Sequence, residues 1–249
     1  MVLSDRQKDI LQKAVFEYID QAQPVSSRWL EERYELEVSP ATIRNELLFL
    51  TDEGFLLQPH TSAGRVPTDK GYRFFVDEVS QHGKDIDEQI FAEQDLEEQD
   101  VRDYFHFIQL IVKNLAEASS NLIIAYVPAR NLFWKEGWEG VLKAPEFGIK
   151  EHILHFTNFL GDLEKGIQKF HARKILDIYI GKENPFSKER DFSIMISAYP
   201  VSDNENGMIA IAGPKRMAYE KNIGLMNSLH KIFVPLEDRK FQENGIHEN

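Results

Sequence analysis

Val38-Ser-Pro-Ala-Thr-Ile-Arg-Asn-Glu-Leu-Leu-Phe-Leu-Thr-Asp-Glu-Gly54 is the stretch whose reading decides the N-terminal fold. Ser39 is placed to cap a helix, Pro40 suits its first position, and Gly54 marks its end. Ile43, Leu47 and Leu50 recur at helical spacing and share one apolar face. Ala41, Asn45 and Leu48 point the opposite way, flanked by Thr42, Arg44 and Phe49. Ser39, Thr42, Arg44 and Asn45 form a set suited to a DNA major groove. Arginine bonds guanine in bidentate fashion, asparagine bonds adenine, and Thr or Ala touches a thymine methyl. The same residues serve equally as solvated positions on an exposed face, so this helix alone leaves both readings open.

Two further helices precede it. Leu3 to Gln21 carries Ile10, Leu11, Ala14, Val15, Tyr18 and Ile19 at helical spacing, with Ser4 as N-cap. After a break at Gln23-Pro24, a short helix runs from Ser26 or Ser27 to Tyr34, with Trp29, Leu30 and Tyr34 as its apolar side. Downstream, Phe55-Leu56-Leu57 reads as a strand, Pro59 to Pro67 as a turn-rich tip, and Val66 as the start of a return strand. Thr68 then caps a helix containing Tyr72, Phe75, Val76 and Val79. Helix, short helix, capped helix and two-stranded ribbon is the order of a winged helix-turn-helix. His60, Thr61, Ser62, Gly64 and Arg65 fall at the ribbon tip, where Arg65 can reach a phosphate or a minor groove. Lys70 and Arg73 add cations just inside the following helix. An ordinary polar hairpin tip is the alternative.

Charge argues partly against this reading. The 249-residue chain has a net charge of -12, and residues 1–76 hold nine Lys/Arg against twelve Asp/Glu. From Asp77 to Asp103 there are eleven carboxylates against Lys84 and Arg102, so much of the acidity lies outside the proposed reading segment. DNA affinity must then come from a few placed cations and a dimer rather than a broad positive field. Residues 77–104 read as an acidic linker and helix.

Beyond it, an apolar helix spans Tyr104 to Ala118. Strands are expected at Asn121–Val127, Lys174–Gly181, Phe192–Pro200 and Met208–Gly213, with helices at Ile149–Leu160 and Ala218–Phe233. The interleaving predicts an α+β domain over 105–235 with a mainly antiparallel sheet. A polar, flexible tail is expected over 236–249. No apolar run approaches the roughly 20 residues that span a bilayer. No secretory signal is expected at Met1–Arg6, and with no cysteine in the chain a cytoplasmic placement is expected. His152 and His155 have a spacing open to metal ligation, but nothing around them completes a site. No triad or phosphate loop is visible, so neither enzyme nor cofactor is expected. Phe133, Trp134 and Trp138 read as core aromatics or as the lining of a ligand pocket.

The run from Val38 to Glu46, and then Gln58-Pro-His-Thr-Ser-Ala-Gly-Arg-Val-Pro-Thr-Asp-Lys-Gly-Tyr-Arg73, resembles the N-terminal signature of the HrcA heat-inducible transcription repressors. The resemblance continues at Ile180-Gly-Lys-Glu-Asn-Pro185, Ser193–Tyr199 and Gly213-Pro-Lys-Arg-Met-Ala-Tyr-Glu220. It implies a repressor of chaperone genes that binds an inverted-repeat operator of the CIRCE type as a homodimer, with the GroEL chaperonin as a partner. It also implies that the second domain is GAF-like and carries an inserted dimerising domain. Family members are usually much longer, and most of that insertion is missing between the strand near Ile123–Pro128 and Trp138–Phe147. Phe49 stands where a polar residue is more usual. A rival reading makes the chain a ligand-responsive winged-helix regulator whose second domain senses a small molecule.

Overall fold

The computed structural model describes residues 3–36, 38–82, 104–170, 175–202 and 205–244. The chain divides into two compact units, Met1–His82 and Gly83–Asn249. Most of the expected acidic linker, together with residues 171–174 and 245–249, lies outside the described residues.

The first unit is helical with a small ribbon. Helix α1 (Asp5–Gln21) starts at a capping box in which Ser4 accepts from the Gln7 amide and Gln7 returns a bond to Ser4. Helix α2 (Ser27–Arg33) is capped by Ser26, and helix α3 (Pro40–Asp52) by Ser39 with Pro40 in its first turn. Gly54 adopts a φ of 75°, a left-handed conformation that releases the chain from α3. Strands β1 (Leu56–Leu57) and β2 (Val66–Pro67) pair antiparallel, Leu56 opposite Pro67 and Leu57 opposite Val66. Helix α4 (Asp69–His82) follows; Thr68 Oγ1 accepts from the Gly71 amide at 3.2 Å. Ile10, Leu11, Val15, Leu30, Ile43, Leu50 and Val76 are the centre of the unit's core.

The second unit is α+β. Helix α5 (Tyr104–Ser119) leads into β3 (Leu122–Val127) and β4 (Leu132–Glu136). Short helix α6 (Trp138–Leu142) and long helix α7 (Lys150–Ile167) precede β5 (Asp177–Ile180), β6 (Phe192–Ser202), β7 (Glu205–Pro214) and α8 (Tyr219–Asn244). The sheet order is β4-β3-β7-β6-β5, and every pairing is antiparallel. Alternate residues face opposite sides. Leu122, Ile124, Ile194, Ile196, Ala210 and Ala212 meet α7, where Phe147, Phe156, Phe159 and Phe192 fill the interior. On the other face Tyr199 stacks on Phe233 of α8, which meets Phe107 of α5 edge-on. Because it is covered on both faces, β3 is buried at all its positions.

Several details differ from the sequence expectations, among them helix α6, which was not expected, and α7, which runs to Ile167 instead of ending at Leu160. Residues 132–136 form a strand that was not expected, and adjacent Phe133 and Trp134 therefore point to opposite faces of β4. Phe133 stacks on Tyr126 at 4.6 Å, Trp134 bonds Glu136, and Trp138 meets Phe156 edge-on. The three rings do not share a pocket. Helix α8 runs to Asn244, into the stretch assigned to the tail. On α7, His155 Nδ1 lies 2.8 Å from Glu189, and among the described residues no three metal-ligating side chains group together.

Candidate nucleic-acid interface

The outward side of α3 is a single stripe. Ala41, Arg44, Asn45 and Leu48 fall at i, i+3, i+4 and i+7, and all four are exposed. The side chains of Arg44 and Asn45 make no hydrogen bond or ion pair with any other described residue. The first turn of α3 carries no carboxylate, so nothing there cancels the partial positive charge of its amides. Ser39 is exposed and spends its hydroxyl on the cap, accepting from the Thr42 amide at 3.2 Å and lying 3.0 Å from Thr42 Oγ1.

The stripe is held from behind by buried polar contacts that the sequence reading missed. Glu46 is only 7% exposed. Its carboxylate accepts from Arg6 Nε at 2.7 Å and from Gln7 Nε2 at 3.0 Å, at the N-terminus of α1. Further back, Glu17 accepts from Trp29 Nε1 and from the Tyr34 hydroxyl, each at 2.7 Å, tying α2 to α1. Burial, reinforced by that carboxylate, pushes the Tyr34 phenol above its usual value. The available signal for Glu46 was its place on the flank of the Ile43–Leu47–Leu50 face.

The β1–β2 connection is ordered by Gln58, whose Nε2 donates to the carbonyls of Thr61 and Ala63, each at 2.9 Å. His60, Thr61 and Ser62 are exposed at the tip, with His60 Nδ1 3.2 Å from Ser62 Oγ. The three cations expected nearby are engaged elsewhere. Lys70 Nζ donates to the Glu53 carbonyl at 2.7 Å and lies 4.0 Å above the Phe55 ring, where it caps the C-terminus of α3. Arg73 pairs with Asp77 at 3.3 Å. Arg65 is half-buried and donates from Nε to Thr51 Oγ1 at 2.9 Å. The structure thus brings Ser39, Thr42, Arg44 and Asn45 onto one helix end and His60, Thr61 and Ser62 onto one tip. Lys70 and Arg73 are turned to internal partners.

Comparison with known proteins identifies the family. Residues 73–223, more than half of the chain, match the family model described as the HrcA protein C terminal domain. The chain belongs to the HrcA family. An HrcA of Natranaerobius thermophilus, named a heat-inducible transcription repressor, is 25% identical across 98% of this chain and 100% of its own. One from Thermodesulfovibrio yellowstonii is 28% identical across 91% and 96%. Another, from Alkaliphilus metalliredigens, reaches 54% identity over 86 residues, covering 34% of this chain and 25% of its own. A crystal structure of a hypothetical protein has the same fold, with a TM-score of 0.72 at 19% identity, covering 93% of this chain and 97% of that one. The alignment with the N. thermophilus HrcA runs over 342 positions against a chain of 249 residues. Long stretches of that HrcA therefore have no counterpart here. In the structure, β3 passes to β4 through residues 128–131 alone, with a 3-10 turn at Pro128–Arg130.

Proposed function

We propose that this HrcA-family chain is a DNA-binding repressor of heat-inducible transcription and not an enzyme. In this reading the first unit is a winged helix-turn-helix, α3 is its reading helix and residues 58–65 are its wing. The second unit is a GAF-like regulatory and dimerising domain. The observation that carries the proposal is the exposed stripe Ala41–Arg44–Asn45–Leu48, whose two polar side chains have no partner among the described residues. A guanidinium and an amide on one face near a helix N-terminus match the donors that read guanine and adenine. His60, Thr61 and Ser62 at the wing tip offer small polar contacts to the backbone. The names of the curated relatives support the same reading. No helix of the described residues is long and apolar enough to cross a membrane.

An inverted-repeat operator calls for a two-fold protein partner. The test is a titration against a labelled CIRCE-type inverted-repeat duplex and a scrambled duplex at physiological salt, with sedimentation to count protomers. Binding at least roughly a thousandfold tighter to the repeat, with two protomers bound, is the expected result. Equal weak binding to both duplexes overturns the proposal. Within that assay, Arg44→Ala costs about 1–3 kcal/mol on the repeat and relaxes the preference at one base pair. An equal loss on every duplex would make Arg44 a phosphate contact.

One feature favours ligand sensing by the second unit. A groove of about 650 Å3 beside β5 is lined by Lys165, Lys169, Phe170, Tyr179 and Phe186, among others. Its three aromatic rings meet edge to face with centroids 5.1–6.2 Å apart. Asp162 and Glu183 line the groove as well and balance the two ammonium groups, so its aromatic floor suits a planar aromatic ligand with no net preference for an anion. Thermal unfolding against a panel of planar aromatic ligands, charged and neutral, tests this, because a ligand of the native state raises the midpoint. No shift across the panel, at concentrations up to millimolar, sinks the sensing reading.

A further inference from the structure

Helix α3 is restrained on both flanks of its buried face. With about 100° of rotation per residue, Glu46 and Thr51 stand roughly 70° to either side of the direction set by Ile43, Leu47 and Leu50. Glu46 is tied to Arg6 and Gln7 of α1. Thr51 Oγ1 donates to the Leu47 carbonyl at 2.7 Å and accepts from Arg65 Nε at 2.9 Å. Arg65 is itself anchored in the backbone: its amide and carbonyl pair with Val25 at 2.7 and 2.8 Å. Beside it, Gly64 has no room for a side chain, since a Cβ there would lie 2.5 Å from the Val25 carbonyl carbon and oxygen. The base of the β1–β2 connection is therefore pressed onto the α1–α2 link, and one guanidinium reaches from it to the last turn of α3.

We infer that Arg65 is a positioning residue, which fixes the rotation of α3 through Thr51 and so aims Arg44 and Asn45, rather than a contact to the nucleic acid. The inference rests on the reading of α3 proposed above. It separates two roles that the sequence leaves merged, because a cation on phosphate contributes to the salt dependence of binding and a positioning contact does not. A protein that loses one phosphate contact shows a salt slope smaller by about one unit. A protein whose reading helix has turned keeps its slope and loses discrimination.

The experiment uses the full chain and the variants Arg65→Gln, Thr51→Val and Thr51→Ser. The readouts are affinity for the inverted-repeat and scrambled duplexes across a salt series, and amide hydrogen exchange over residues 47–54. Thr51→Val keeps the shape of the side chain and every charge but deletes the hydroxyl. Thr51→Val and Arg65→Gln each reduce the repeat-to-scrambled ratio by roughly tenfold with an unchanged salt slope, and the double variant loses no more than either. Thr51→Ser, which keeps the hydroxyl, restores discrimination. A smaller salt slope in Arg65→Gln, or a Thr51→Val protein that discriminates like the unaltered chain, overturns the inference. If Arg65→Gln does not fold, the valine and serine variants decide alone. Should the unaltered chain show no preference for the repeat, the proposed function falls while the restraint stays measurable. Thr51→Val then speeds exchange in the last turn of α3 and Thr51→Ser does not, and equal exchange in both overturns it.

Discussion

Phe192→Ala lowers the stability of the second unit by about 3–5 kcal/mol, the range for deleting a buried aromatic ring. Phe192 opens β6, is wholly buried, and lies 5.0, 5.2 and 6.3 Å from the ring centres of Phe156, Phe159 and Phe147. Neighbours that are themselves interlocked rings cannot move in to fill the space, because Phe147 and Phe159 each also pack on Phe156. The cavity term therefore adds to the lost transfer energy instead of being relaxed away. Denaturant unfolding followed by tryptophan fluorescence reads the effect. Of the chain's three tryptophans only Trp29 belongs to the first unit, so a Trp29→Phe background leaves Trp134 and Trp138 as reporters. The expected result is a lower midpoint at unchanged slope. A loss below about 1 kcal/mol would mean that α7 collapses onto the sheet, and that the ring cluster is not what holds them apart.

Glu17→Ala is the corresponding test in the first unit, with an expected loss of about 2–3 kcal/mol. Helix α2 has seven residues and a single buried side chain, Leu30, so apolar packing alone holds it weakly. Glu17 supplies the rest. It is 1% exposed and receives Trp29 Nε1, the Tyr34 hydroxyl and, at 3.4 Å, Arg33. Arg33 is more than half exposed, so its ion pair contributes little, and the two charge-assisted hydrogen bonds carry the estimate. Glu17→Gln has a smaller effect than Ala, since an amide keeps one acceptor but turns a donor toward one of the two donors it faces. Melting of the first unit separates the cases. Identical losses for Ala and Gln would show that the negative charge, not the acceptor geometry, is what α2 needs. Because α2 packs on α3, the proposed function carries a further expectation, that affinity for the inverted repeat falls as the docked population of α2 falls.

Much of the first unit was legible because its signals are short-range. Ser4, Ser26, Ser39 and Thr68 each satisfy an amide three residues ahead, a relation contained within one turn of chain. The exposed stripe of α3 was legible for the same reason, since a helix of known phase sorts its own residues into faces. In the second unit the strands of β3, β6 and β7 announced themselves as apolar runs. Strand β4 did not: Leu132-Phe-Trp-Lys-Glu136 is a strand because Ile123 to Val127 runs beside it in register.

What the sequence by itself determined is thus the order of the first unit's elements, their caps and the face that α3 turns outward. What only the tertiary structure decided is where the long polar side chains go. Arg65, Lys70 and Arg73 read alike as cations near one tip, yet the first is bound to Thr51, the second to the Glu53 carbonyl and the third to Asp77. Glu17 and Glu46, which nothing in the sequence singled out, are buried. A cap or an apolar period is set by neighbours within one or two turns of the same chain. The partner of a guanidinium or a buried carboxylate comes from another element, so its choice waits for the elements to pack.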